Sequence, residues 1–369
     1  MARPRLVAWL AVATGALAIW VAVSARFGAE TSAAVGLTGA EAPLMLLALA
    51  AASYLGGLLL SDHAHLITPV IGVGIILAGI ASESVLDTSP EAPPLGYANA
   101  NAALAVAAVA LLLGGVNRWP AGMRTALWVA GSLVTVWTVY IGSSAGAVGA
   151  MLVLAAAAVQ GRVAPRAAAL GAGLLLAAGI GVTALLGALQ PPGASELLTG
   201  TRLALWSQAL TALRAHPIYG LGPGAFADQN LVAGDVDTAK AHSLWLETGA
   251  ELGFPGLLLA VLCAALVLVV LARSRSSAAV VACGLAAAFG LHACIDYVAD
   301  FPAVIAVVAF AMGVMAWATE DDGLHLGAAL TRIGSGRRDQ SAHADQGGQA
   351  VQDGQHRQNS STSPKESRH

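Results

Sequence analysis

In a chain made mostly of Ala, Leu, Val and Gly, the side chains able to do chemistry are few and crowd into one stretch. Between Leu198 and Gly256 stand Arg202, Arg214, His216, Lys240, His242, Glu247 and Glu251, a density of ionisable groups found nowhere else before the C-terminal tail. A guanidinium is planar, permanently charged and able to grip two phosphate oxygens at once, so Arg202 is suited to hold a phosphate. An imidazole titrates near neutrality, so His242 could accept a proton. Arg214 and Lys240 would add positive field, while Glu247 reads as a charge on a helix face. The segment HPIYGLGPGAF, with Gly222 and Gly224, forces a turn in which the backbone can approach a ligand. Plainer readings stand beside these: Arg202 as a headgroup contact of an interfacial helix, His242 as a hydrogen-bonded histidine at the membrane surface.

Two helices are expected to position these groups. From Thr199 to Ala215 the residues Leu203, Trp206, Leu210 and Leu213 recur at helical spacing, with Thr199 or Thr201 as the cap. That apolar face would lie on the membrane interface or against other helices. A second helix is predicted to start near His242, in AHSLWLETGAELGFPG, and to end at Gly253, Pro255 or Gly256.

What carries these helices is a membrane domain. The chain is 57% hydrophobic and 11% charged, with a mean hydropathy of +0.72, whereas about a quarter charged is usual for a soluble globule. Runs long enough to cross about 30 Å of hydrocarbon are read at 7–25, 43–60, 66–82, 99–117, 125–142, 146–160, 167–189, 255–272, 278–296 and 301–318. The expected fold is therefore all-α: about ten transmembrane helices, with a large extracytoplasmic loop between spans seven and eight. Spans one to seven fill 1–189, the loop 190–254, spans eight to ten 255–318, and a disordered cytoplasmic tail 319–369. No alternation of polar and apolar residues favours a barrel.

Arg3 and Arg5, Arg118 and Arg124, Arg162 and Arg166, Arg273 and Arg275, and Arg332, Arg337 and Arg338 all fall on one side of such a ten-span bundle. By the positive-inside rule that side is cytoplasmic, which places both termini inside and the ionisable loop outside a plasma membrane. A cleavable leader ending at AVSA before Arg26 is the alternative for the first span; its apolar run is longer than such leaders carry. Beyond about residue 334 the tail has too few apolar residues to fold, and His343, His356 and His369 there are read as solvated. Cys263, Cys283 and Cys294 sit inside apolar runs without metal-ligand spacing, as small buried hydrophobes.

The order of motifs resembles that of the O-antigen ligase and polymerase superfamily of bacterial glycosyltransferases. GYANANAALA at 96–105 is similar to its Gly-x-x-Asn-x-Asn element, and Arg202 with Trp206 to its Arg-xxx-Trp. HPIYGLGPGAF resembles its Pro-xx-Gly-x-Gly-x-Gly-x-Phe, AHSLWLETGAELGFPG its Ala-His-Asn-xx-Leu with a later Glu-x-Gly-xx-Gly, and GLHACIDYVADFPA at 290–303 its closing His-xxx-Asp and Pro element. The resemblance implies a polytopic inner-membrane enzyme that moves a glycan from a polyprenyl diphosphate carrier to a hydroxyl-bearing glycan or lipid, without metal or cofactor and with no nucleic acid partner. Carried onto this chain, it implies Arg202 on the diphosphate and His242 as base. Arg214, Lys240, Trp206, Gly222 and Gly224 would bind substrate, and His292, Asp296 and Glu251 would lend support.

The pattern departs at two places: Ala145 follows Ser143 and Ser144 where the family commonly has Ser-Arg, and Ser243 stands where Asn follows the histidine. His292 and Asp296, four apart, are expected on one helical face, as a functional pair or as a mutually satisfied pair between two spans. Asn99 and Asn101 are expected to cap or order the start of span four. A permease is the competing class; it would show ionisable residues at midspan or repeated halves, and neither is visible.

Overall fold

The structure is a computed structural model that describes residues 3–29, 38–82, 93–141, 143–194, 199–229 and 236–317. The tail expected beyond 319 lies outside the described residues. Met1–Thr319 form one compact unit, and its regular elements are helices: α1 Arg3–Phe27, α2 Thr38–Leu59, α3 Ala64–Ala81, α4 Ala98–Leu113, α5 Ala121–Tyr140, α6 Ser144–Val159, α7 Pro165–Leu189, α8 Gly200–Ala215, α9 Leu244–Ala272, α10 Ala278–Ile295 and α11 Pro302–Ala316. No strand occurs among the described residues, so the all-α expectation holds.

Each of the ten predicted apolar runs lies on a helix, but length separates them. Seven helical segments among the described residues are long and apolar enough to cross a membrane: Arg5–Phe27, Ala40–Leu59, Ser61–Ala81, Ala98–Arg118, Pro165–Leu189, Leu244–Ala272 and Ala278–Ile295. Helices α6 and α11, with 16 and 15 residues, reach only about 24 and 22 Å at 1.5 Å per residue, short of about 30 Å. Helix α5 carries Arg124 and several hydroxyls in its 20 residues. The ten-span count is thus not carried by length and composition alone.

Two helices are central. Most of α4 and α10 is buried, α4 against α3, α5, α6 and α11, and α10 against α6 and α7. Their Ala- and Gly-rich surfaces let backbones come close where lipid gives no hydrophobic drive to helix pairing. The chemically dense stretch builds a core of its own. Leu203, Leu205, Trp206, Ala209 and Ala212 of α8 pack with Leu221, Ala225, Phe226, Ala241, Leu246 and Ala250. The apolar face of α8 is therefore turned onto α7 and α9, the second of the two settings expected for it. Thr199 supplies its cap, accepting from the Arg202 amide.

The predicted second loop helix and span eight are one element, α9, kinked where the sequence suggested a boundary. Gly253 there has φ 69° and ψ −174°, and the Phe254 amide donates to the Pro217 carbonyl at 2.9 Å. A side chain at Gly253 would fall on the Ile218 carbonyl, and one at Gly220 (φ 69°) on the Glu251 carbonyl. The glycine turn and the kink thus interlock backbone to backbone. Helix α1 seals the joint: Trp20 Nε1 donates to the Leu252 carbonyl at 2.8 Å, and Ser24 Oγ reaches the Tyr219 and Glu251 carbonyls at 2.6 and 3.0 Å. Gly253→Ala should lower detergent-solubilised stability by more than the ~1–3 kcal/mol that a side chain costs in this glycine-only backbone conformation, because the collision adds to it. Thermal unfolding followed by circular dichroism tests this, and an unchanged midpoint would refute the interlock.

Candidate active site

The site is built around one carboxylate. Helix α10 ends at Ile295, and Asp296 follows in extended conformation, φ −155° and ψ 163°, with its side chain 2% exposed. It accepts from the Tyr97 hydroxyl at 2.8 and 2.9 Å, from Asn99 Nδ2 at 2.6 Å, from the Tyr297 amide at 2.8 Å and from Arg202 Nη2 at 3.1 Å. Because Asp296 has left the helix, the expected pairing with His292 does not form. His292 is 3% exposed, and its Nε2 has no hydrogen-bond partner among the described residues.

Asn99 is not a cap. Its amide spans from Asp296 to Ser143, whose hydroxyl donates to Asn99 Oδ1 at 2.8 Å and also accepts from the Gly146 amide as the cap of α6. Asn101 does order the start of α4, donating to the Pro93 carbonyl at 3.0 Å and accepting from the Leu95 amide at 3.2 Å. Burial, and after it the Asp296 charge, hold the Tyr97 phenol well above the ordinary tyrosine range. Tyr97 therefore stays protonated and donates.

Arg202 enters from the first turn of α8 with its side chain 24% exposed. Among the described residues Nη2 makes the guanidinium's one hydrogen bond, to Asp296, which leaves the other N–H groups for a ligand. His242 lies between the loop and α9 with φ 49°, a left-handed conformation that a non-glycine residue holds only when its surroundings fix it. Three contacts fix it. Trp206 Nε1 donates to the His242 carbonyl at 3.3 Å, Ser243 caps α9 by accepting from the Leu246 amide, and Glu247 Oε2 accepts from the Ala241 amide at 2.9 Å. The imidazole meets the Tyr297 ring edge-on, centroids 4.8 Å apart, and Tyr297 stacks on Tyr97 at 4.7 Å. One connected cluster therefore joins Arg202, Asp296, Tyr97, Tyr297 and His242.

The remaining candidates divide. Lys240 Nζ lies 3.4 Å from Glu247 Oε1 and 2.6 Å from Asp300 Oδ2. Burial pushes its ammonium down, but the two carboxylates outweigh burial and hold it above the ordinary lysine range. Lys240 is thus an ion-pair partner, and Glu247 helps set the histidine loop instead of sitting as a bare surface charge. Glu251 accepts from the Phe226 amide at 3.2 Å, and its own carbonyl accepts from the Gly222 amide at 3.0 Å. It holds the turn containing Gly222 and Gly224. Trp206 is fully buried and offers no surface to a substrate. Arg214 is exposed in the last turn of α8, about 18 Å from Arg202 by helical rise. The fold does not bring it to the cluster.

Residues 95–261 match the family model described as O-antigen ligase. Over that span the chain is similar to the O-antigen ligase family. The matched span contains Tyr97, Asn99, Ser143, Arg202, Lys240, His242, Glu247 and Glu251; Asp296 lies beyond it. No curated protein and no solved structure matches the chain. Tyr97 and Tyr297 are the functional candidates that the sequence reading missed. The phenol at 97 stands inside the GYANANAALA motif, and Tyr297 directly follows Asp296.

Tyr97→Phe removes a donor from a buried carboxylate and should cost about 1.5–3 kcal/mol, the usual worth of a hydrogen bond to a charged group. Asp296→Ala should cost more than Tyr97→Phe. It should stay below the ~3–5 kcal/mol of a fully buried broken pair, since Arg202 retains a route to water. Denaturant unfolding of the purified variants gives both values, and equal stability of Asp296→Ala and the parent would refute the arrangement.

Proposed function

We propose that the chain is a cell-envelope glycosyltransferase that moves a glycan from a polyprenyl diphosphate carrier to a hydroxyl acceptor. The observation that carries this reading is the joining of Arg202 and His242 in one cluster through Asp296, Tyr97 and Tyr297, in a chain similar to the O-antigen ligase family over residues 95–261. Arg202 binds the phosphate oxygens and stabilises the charge that develops as the lipid phosphate leaves. His242 takes the proton of the attacking hydroxyl. Asp296 acts through Arg202 as a positioning residue, and Glu251 and Glu247 position the glycine turn and the histidine loop. Ligation of a finished glycan and polymerisation of repeats use the same chemistry and differ in the acceptor.

The reading keeps the topology expected from the arginines: ten crossings of a bacterial plasma membrane, both termini cytoplasmic and α8 with the His242 loop outside. A cysteine replacing Asp228 should then be labelled by an impermeant reagent in intact cells, and one replacing Arg273 should not. Labelling of the second from outside would break the assignment. Transfer is read as metal-independent, with Arg202 as the electrophilic group, so activity should survive EDTA.

The two central residues should fail differently. Arg202→Lys keeps a cation without the planar fork, so donor binding and turnover both fall, less than in Arg202→Ala. His242→Ala should spare donor binding and lower turnover by roughly 10²–10⁴-fold, the usual contribution of a general base. Both are measured by transfer of labelled lipid-linked glycan to acceptors supplied singly. Near-normal transfer by folded His242→Ala would rule out the base assignment.

A further inference from the structure

We infer that the outer face of α8 carries a second binding site, a groove that holds an uncharged stretch of oligosaccharide away from the bond that reacts. The choice of carbohydrate rests in part on the glycosyl transfer proposed above, whose glycans this groove would hold. Helix α8 has two faces. Trp206, Ala209 and Leu213 recur at helical spacing on its buried side, in line with Arg202. Ala204, Ser207, Gln208, Thr211 and Ala215 recur on the other side, and all five line one cavity of about 530 Å³. Gln190 at the end of α7 and His216 and Leu221 around the glycine turn extend its wall. Gln190, Thr211 and Ala215 are exposed, so the cavity is open to solvent, on the extracytoplasmic side in the topology proposed above. Its volume falls within the ~300–1,000 Å³ of small-molecule sites.

The chemistry of the lining selects the ligand. Its polar side chains are two amides, two hydroxyls and one imidazole, and no Asp, Glu, Lys or Arg lines it among the described residues. Amides and hydroxyls both donate and accept, which matches a ligand whose polar groups are themselves hydroxyls. An ionic ligand would meet no counter-charge there. The alanines, with Leu221, supply small apolar patches suited to the C–H faces of a sugar ring, and at 204 and 215 their size keeps the surface concave. Two of the polar groups are held in place by the fold. Gln190 has φ 42°, a left-handed backbone that a non-glycine residue holds only where its surroundings fix it. Its Nε2 donates to the Leu203 carbonyl at 3.4 Å, and its amide oxygen remains an acceptor. Thr211 Oγ1 donates to the Ser207 carbonyl at 2.9 Å and keeps its lone pairs. Fewer side chains then have to be ordered when a ligand binds.

Position separates this groove from the reacting centre. Thr211 stands nine residues beyond Arg202, about 14 Å along the axis and on the opposite side of the helix. A sugar in the groove is therefore not the sugar whose bond breaks, and a glycan that reaches both places is an oligosaccharide. Leu221, next to Gly222, joins the groove to the glycine turn, which gives that turn a ligand on the face away from its interlock with α9. The glycan on the donor and a glycan acceptor present the same hydroxyl-rich chemistry, and kinetics tells them apart.

The test is saturation-transfer NMR on the purified full chain, in a detergent without a sugar head, titrated with maltotriose, mannotriose, galactotriose and chitotriose and with inorganic phosphate as the ionic control. At least one trisaccharide should bind in the millimolar range, and phosphate should not displace it. Thr211→Trp and Ala215→Trp fill the groove from exposed positions, and each should weaken the sugar about tenfold, equivalent to ~1.4 kcal/mol. Arg202→Ala should leave sugar binding unchanged. In transfer assays the same tryptophan variants should raise one KM by the same factor at unchanged kcat: the donor's where the groove holds the donor glycan, the acceptor's where it holds the acceptor. Binding of none of the trisaccharides, displacement of the sugar by phosphate, or parental binding in both tryptophan variants would overturn the inference. Sugar binding that the tryptophans abolish, in a protein that transfers no lipid-linked glycan, would defeat the glycosyltransferase reading and leave the groove standing. Transfer that needs Arg202 and His242, with both KM values untouched by the tryptophans, would do the reverse.

Discussion

The buried charge of Asp296 is the constraint that the site depends on. An ionised carboxylate with almost no exposed surface, set in a bundle of Ala, Val and Leu, is tolerated only where donors replace its lost water. Here they come from three separate parts of the chain: Tyr97 and Asn99 at the start of α4, Arg202 at the start of α8, and the backbone of Tyr297 just after α10. Satisfying one carboxylate therefore brings together segments about a hundred and two hundred residues apart in sequence. Moving Asp296 off the last turn of α10 gives it an extended backbone and access to all three. Had it stayed helical, its side chain would have lain with His292 on the face packed in the bundle.

Around that carboxylate, two cores of different composition divide the work. The membrane bundle uses small residues to bring α4 and α10 close to their neighbours, and this fixes the ends from which Tyr97 and Asp296 project. The smaller core under α8 uses larger groups, Trp206 and Phe226 among them, to seat the loop against α9. Trp206 links the two tasks, since the ring fills the small core while its N–H holds the carbonyl of His242. The left-handed backbone of His242 follows from this, because the contacts at Ala241, His242 and Ser243 leave the chain little choice between them.

Helices were legible in the sequence because apolar runs and their breaks carry a strong periodic signal, and α8 and the kink of α9 were visible for the same reason. Arg202 and His242 stood out as the rare ionisable groups in the right motifs. The side-chain partners were not legible. His292 and Asp296 suggested a helical pair only on the assumption that the helix continued through both, and nothing in the local sequence marks its end at Ile295. Asn99 and Asn101 were read alike, although a helix turns them about 200° apart, one into the site and one back onto Pro93. Trp206 and Arg214 were assigned to substrate by motif and by charge. Burial removes the first from the surface, and three further turns of helix carry the second away.

The same comparison explains why the two cations of the loop have different prospects. Lys240 is a compact ammonium on a flexible stem, and two carboxylates claim it, Glu247 on α9 and Asp300 before α11. Their pull outweighs the burial that would otherwise release its proton, so it remains charged, and a phosphate would have to displace both acids to reach it. Arg202 gives Asp296 one N–H from a fork of five and keeps the rest at a partly exposed edge. A carboxylate held by Tyr97, Asn99 and a backbone amide as well does not need the whole guanidinium. That division leaves one arginine free to serve as a phosphate ligand while it stays a structural partner of Asp296.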